Sequence, residues 1–151
     1  MARRTWSNSC FVPRDRGTPK FTNGSVTGSE KPAPGAMSSS NADTVRASFD
    51  AYLAHDRDAA ELLLAEDLVF TSPQDDHIDK TAYLERCFPT ADRLNSQEIL
   101  ELVDAGRDGV FILYEYELKT GERHRNTEFI MVRDGQIIEI QAFFGGQVRK
   151  S

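Results

Sequence analysis

The stretch "RHRNTEFIMVRDGQIIEIQAFFGG", residues 123–146, decides the fold. Asp134-Gly135 sits between two runs of large apolar residues. That dipeptide supplies the positive φ angles of a tight type I′ turn, so the stretch reads as a β-hairpin. Strand side chains alternate between two faces. One face of 122–133 then carries His124, Asn126, Glu128, Ile130 and Val132. The other carries Arg123, Arg125, Thr127, Phe129 and Met131. Neither face is wholly polar, which predicts that both are covered. Glu128 is a carboxylate set among apolar neighbours, and its presence there calls for a reason.

Upstream of the hairpin, "GVFILYEYELK" predicts a long strand over 109–119, and "SQEILELVDA" predicts one near 97–104. Before residue 94 the pattern is helical. "SNADTVRASFDAYLAHD" opens on capping residues and spaces Val45, Phe49, Tyr52 and Leu53 as a helix does. "RDAAELLLAED" offers a second short helix with Asp58 as its cap. "DLVFTSP" is a short strand stopped by Pro73. "DDHIDKTAYLERCFP" reads as a third helix, capped by Asp79, with Tyr83, Leu84 and Cys87 on its inner face and Pro89 at its end. Three helices followed by antiparallel strands spell an α+β fold.

The chain has 151 residues, of which 39% are hydrophobic, enough for one domain with a core. Its net charge of −6 is unevenly spread. Residues 1–36 hold six Lys/Arg and two Asp/Glu, and the remainder holds 12 and 22. An acidic body lacks the basic face that nucleic acid requires. No apolar run approaches the roughly 18 residues of a membrane span. Residues 1–39 are rich in Gly, Pro, Ser and Asn without either period, and read as a disordered extension, with Met37 as an alternative start. The domain is expected over 40–146, with 147–151 as a tail. Cys10 and Cys87 match no disulfide framework and no zinc spacing, so Cys87 reads as a buried thiol and the expected setting is cytoplasmic.

Strands that curve around helices leave a cone-shaped cup. Polar groups among aromatics on its lining make the usual site for a small apolar ligand. Glu128 would sit at the bottom, with Tyr114, Tyr116, Ile130, Ile140, Phe144, Phe70 and Tyr52 as lining. One face of 136–144 is expected to read Gln136, Ile138, Ile140, Ala142 and Phe144. The apolar Phe129 and Met131 on the outer face favour a homodimer.

The order of elements, the strand ending in "FTSP", the helix ending in "CFP" and the run "YEYE…RNTEF…VRDGQIIEIQAFFG" resemble the nuclear transport factor 2-like superfamily. The nearest branch is the SnoaL-like domain, shared by polyketide cyclases and ketosteroid isomerases. The resemblance spans about residues 42–146. It implies a curved antiparallel sheet wrapped around three N-terminal helices. It leaves function open, because the superfamily holds isomerases, cyclases, dehydratases, epoxide hydrolases and non-catalytic modules. Ketosteroid isomerases use an aspartate base, with a tyrosine and a protonated acid as oxyanion donors. The resemblance places the base at Ser72, the tyrosine at about Ser48 and the acid at Glu128. With base and tyrosine replaced, the steroid route is disfavoured.

The expected chemistry is therefore proton transfer by Glu128, helped by Asn126 or by His77. His77 lies in "QDDHIDK" with Asp75, Asp76 and Asp79, a run that matches no metal-ligand spacing. No metal or cofactor is expected. The alternative is a non-catalytic module of the same fold that binds a ligand or dimerises.

Overall fold

The computed structural model describes residues 40–149, so the expected N-terminal extension lies outside the described residues. Helix α1 spans Asn41–Leu53, α2 Arg57–Leu63 and α3 Lys80–Arg86, and a 3-10 helix follows at Phe88–Arg93. Strands are β1 Leu64–Ser72, β2 Asp75–Ile78, β3 Leu94–Gly106, β4 Gly109–Leu118, β5 Arg123–Arg133 and β6 Gln136–Gln147. They form one sheet in the order β2-β1-β6-β5-β4-β3. Every neighbouring pair is antiparallel except β1 and β6, which run parallel. The helices cover the inner face, and the α+β cone expected from the sequence is the observed architecture.

The local signals explain most boundaries. Ser40 caps α1 in a reciprocal box with Asp43, both bonds 3.1 Å long. Asp79 caps α3 by accepting from the Ala82 amide at 2.8 Å. The cap of α2 is Asp56 and not Asp58, because His55 takes a left-handed φ of 59° and turns the chain one residue pair earlier. Residues 75–78 are a short edge strand rather than the start of α3. The Ser72 hydroxyl accepts from the Gln74 and Asp75 amides, which folds the chain back so that Ile78 pairs with Phe70. Asp134 and Gly135 both have positive φ, as the expected hairpin turn requires.

On β5 the alternation holds throughout, and His124, Asn126, Glu128, Ile130 and Val132 are all buried. On β6 it breaks. Met131 pairs with Glu139 but Val132 pairs with Ile137, so Ile138 is an extra residue in a bulge. The buried set is therefore Ile137, Ile140 and Ala142, in place of Gln136, Ile138, Ile140 and Ala142. Cys87 is fully buried but disulfide-bonded, which corrects its reading as a thiol. Among the described residues no helix is long and apolar enough to cross a membrane.

Candidate functional site

Glu128 stands at the middle of β5, between Ile112 on β4 and Ala142 on β6. Its side chain is 1% exposed. The next row along the sheet holds Tyr114, Asn126 and Phe144. From that row the Tyr114 hydroxyl reaches back to donate to Glu128 Oε1 at 2.8 Å. Asn126 Nδ2 donates to the Tyr114 hydroxyl at 3.4 Å, and its Oδ1 accepts from the Gly145 amide at 3.3 Å. A backbone N–H, an amide, a phenol and a carboxyl thus form one connected chain inside the cone.

Gly145 makes this possible. A Cβ at that position would lie 2.2 Å from the Arg125 carbonyl oxygen. Only glycine lets β6 approach β5 there, where the register also shifts. The "FFGG" end of the hairpin is therefore part of how Asn126 is held.

Burial pushes the Glu128 carboxyl up to about 8, and the Tyr114 hydrogen bond only partly opposes it. At neutral pH the group is mostly protonated and can donate. Burial also raises Tyr114, Tyr83 and Tyr52, with the Glu128 charge adding to each shift. The Tyr52 hydroxyl is tied to Thr90 at 2.6 Å.

A cavity of about 10 Å³ opens beside Glu128, lined by Ser48, Phe49, Tyr52, Tyr83, Ile130 and Ile140. That is room for about one water molecule. The cup expected to stand open is largely filled. Phe49 from α1 packs edge-on against Tyr114, with centroids 4.9 Å apart.

The structure brings together Glu128, Asn126, Tyr114, Tyr52, Ile130 and Ile140. Tyr116 lies one row further out, stacked on His124. Phe144 is half-buried beside Asn126. Phe70 on β1 pairs with Ile140 and packs on Tyr83, two residues of the cavity lining, without lining the cavity itself. His77 is not brought to the site. It lies on edge strand β2, its side chain 72% exposed and paired with Asp76, because the Ser72 turn carries it outward. Ser48 and Tyr83 also line the cavity. Ser48 is the position to which the resemblance assigns the family tyrosine, whereas the only signal for Tyr83 is its helical spacing, which marks a buried face but not what it faces. Among the described residues no three His, Cys, Asp or Glu side chains are grouped to hold a metal.

The fold agrees with the comparisons. The model of the SnoaL-like domain family matches residues 45–140, and the chain belongs to that family. No curated protein matches it in sequence. Among solved structures, a nuclear transport factor 2-like protein of unknown function from Mesorhizobium loti is 25% identical with a TM-score of 0.62, covering 70% of this chain and 91% of that one. A protein from Kribbella flavida, provisionally called a ketosteroid isomerase, is 20% identical with a TM-score of 0.60, covering 74% and 82%. A protein of cystatin-like fold from Methylobium petroleophilum is 18% identical with a TM-score of 0.61, covering 73% and 78%. The latter two likenesses bear on fold alone.

Proposed function

We propose that this protein transfers a proton to a small, largely apolar ligand, as an isomerase, cyclase or dehydratase does, with Glu128 as the acid. One observation carries the reading. Glu128 is fully buried, held protonated to about pH 8, and faces a small cavity into which a reacting atom could enter. A buried carboxylic acid is a good donor to a developing oxyanion, because no water competes for it. As Glu128 gives up its proton, the Tyr114 hydroxyl stabilises the carboxylate left behind. Asn126, anchored by Gly145, orients Tyr114. Tyr114 thus supplies from β4 the hydroxyl that the family resemblance puts on the first helix. Ser72, at the implied base position, is committed to a turn. Admitting a ring-sized ligand requires Phe49 or Tyr83 to move.

The test is exchange of α-protons in a panel of ketones dissolved in D₂O, followed by NMR: Glu128 protonates the carbonyl oxygen as solvent water takes the α-proton, and the enol returns its O–H proton to Glu128 as it takes a deuteron at carbon from D₂O. Wild-type exchange that falls by about 10² or more in Glu128→Gln supports the role. The rate should hold at low pH and fall as pH rises through about 8, since the acid form is lost there. A Glu128→Gln variant with undiminished exchange would sink it.

A second reading is a non-catalytic module, favoured by how nearly the cup is filled. Its functional surface would be the outer face of the sheet. There Phe111 and Phe129 pack with ring centroids 4.7 Å apart and planes tilted by 47°, and Phe111 and Phe143 are about half exposed. A second copy packed face to face would cover them, giving a homodimer.

A further inference from the structure

The inner face of the sheet carries a second polar group that the acid role of Glu128 leaves unused. Gln97 on β3 pairs with Tyr116 on β4, and Tyr116 pairs with His124 on β5. Paired residues of neighbouring strands share a face, so the three side chains stand in one row. Tyr116 and His124 stack, their centroids 5.5 Å apart and their planes 15° from parallel. Both are more than nine-tenths buried.

Each of the three carries a buried polar atom without a hydrogen-bond partner: Gln97 Nε2, the Tyr116 hydroxyl and His124 Nδ1. Asn126 lies near enough to Tyr116 to oppose the rise that burial causes in its ionisation, but makes no well-formed bond to it. Orphaned polar atoms are destabilising, and folded proteins keep few of them. Three in one row are better explained by a use than by chance. The row stands next to the cavity lining, since the Tyr116 ring lies 6.2 Å from that of Tyr114, which in turn touches Glu128 and Phe49 of the lining.

The atoms define what would satisfy them. Gln97 Nε2 can only donate, and the Tyr116 hydroxyl donates or accepts. His124 Nε2 faces the Glu122 carboxylate at 3.5 Å, which favours the proton on Nε2 and leaves Nδ1 of the neutral ring to accept. We propose that Gln97, Tyr116 and His124 form a polar subsite for a second oxygen of the ligand, a ketone or an alcohol at the end away from the oxygen that Glu128 protonates. A ketone oxygen accepts from Gln97 and Tyr116. An alcohol also donates to His124. The proposal rests on the cup taking a small ligand, and it names the class of that ligand.

The test is solution NMR of the full chain titrated with cyclohexanone, cyclohexanol and cyclohexane, three rings of one size that differ at the oxygen. Reporters are the Tyr116 and His124 rings for the row, and the Ile130 and Ile140 methyls for the cavity. The expected result is that the ketone and the alcohol shift the row while cyclohexane does not. Tyr116→Phe should weaken cyclohexanone about tenfold, the worth of a neutral hydrogen bond, and leave cyclohexane unchanged. Should Tyr116→Phe disturb the fold, Gln97→Leu provides the same comparison. If all three rings shift only the Ile130 and Ile140 methyls, with equal affinity in wild type and variant, the subsite is overturned and the ligand cup stands. If no ring shifts either set of reporters, the subsite and the cup are both overturned.

Discussion

The Tyr114 hydroxyl and the Glu128 carboxyl belong to different rows of the sheet, yet they meet at 2.8 Å. Tyr114 pairs with Asn126, and Glu128 pairs with Ile112. The contact is diagonal, made possible because a tyrosine spans the 7–8 Å between diagonal neighbours. Asn126, directly opposite Tyr114, keeps the phenol leaning toward the carboxyl. The pKa of Glu128 is therefore set by an apolar surrounding that raises it and one diagonal donor that restrains the rise.

Removing that donor has a definite sign. In Tyr114→Phe the carboxylate loses its hydrogen bond while its burial is unchanged. The Glu128 pKa should move up from about 8. A ¹³C-carboxyl NMR titration of the variant measures it directly. A downward move would mean that water floods the site and that burial is not the controlling factor.

Glu128 also ties stability to pH. The folded protein holds this proton to about pH 8, whereas the unfolded chain releases it near the ordinary value of 4.5. Between those values the folded state binds more protons, so stability falls as pH rises. The contribution is fully present below about 4.5 and is lost as pH passes through about 8. The accumulated penalty is on the order of 3 kcal/mol at pH 7. Glu128→Gln removes the titration. Its stability should match wild type near pH 4.5 and exceed it increasingly toward pH 8, measured by urea unfolding at each pH. Parallel pH curves for the two proteins would refute the shift.

The residues that could be read from sequence are those whose strand keeps a strict period of two. Along β5 no residue is inserted, so the inward set from His124 to Val132 follows from counting. Along β6 the extra Ile138 changes the phase, and nothing in "QIIEIQ" distinguishes a bulge from a regular strand. Strand β2 is four residues long, three of them polar, too short for any period to appear. The Tyr114–Glu128 contact depends on register, which the turn around Gly121 sets across strands. The filling of the cup depends on side-chain volumes from α1 and α3 meeting the sheet, and no one-dimensional pattern reports a volume.

Gly145 gives a prediction about support of the site from a distance. In Gly145→Ala the new methyl would start 2.2 Å from the Arg125 carbonyl oxygen, which is backbone and cannot swing aside. Strand β6 must move away from β5 and stretch the Gly145–Asn126 hydrogen bond, now 3.3 Å. The expected cost is about 1–3 kcal/mol in unfolding free energy. Loss of the Asn126 anchor should also broaden or shift the Tyr114 ring resonances. A variant with wild-type stability and an unchanged Tyr114 spectrum would show that β6 has slack there.

The outer face makes the last prediction. Phe143 is 50% exposed on β6 and shares a surface with Phe111, Phe129 and Met131, the first two packed with ring centroids 4.7 Å apart. The same face turns polar toward its other end, where Glu115 bridges Arg123 and Arg125 at 2.8 Å each. An apolar half beside a charged half suits a two-fold partner, because each copy then presents the same surface to the other. Phe143→Glu places a charge in the apolar half without touching the core. Sedimentation velocity should find a dimer for wild type and a monomer for the variant. Far-UV circular dichroism of the variant should be unchanged. A wild-type protein that stays monomeric across the micromolar range would rule the dimer out and leave Phe111, Phe129 and Phe143 free for a different partner.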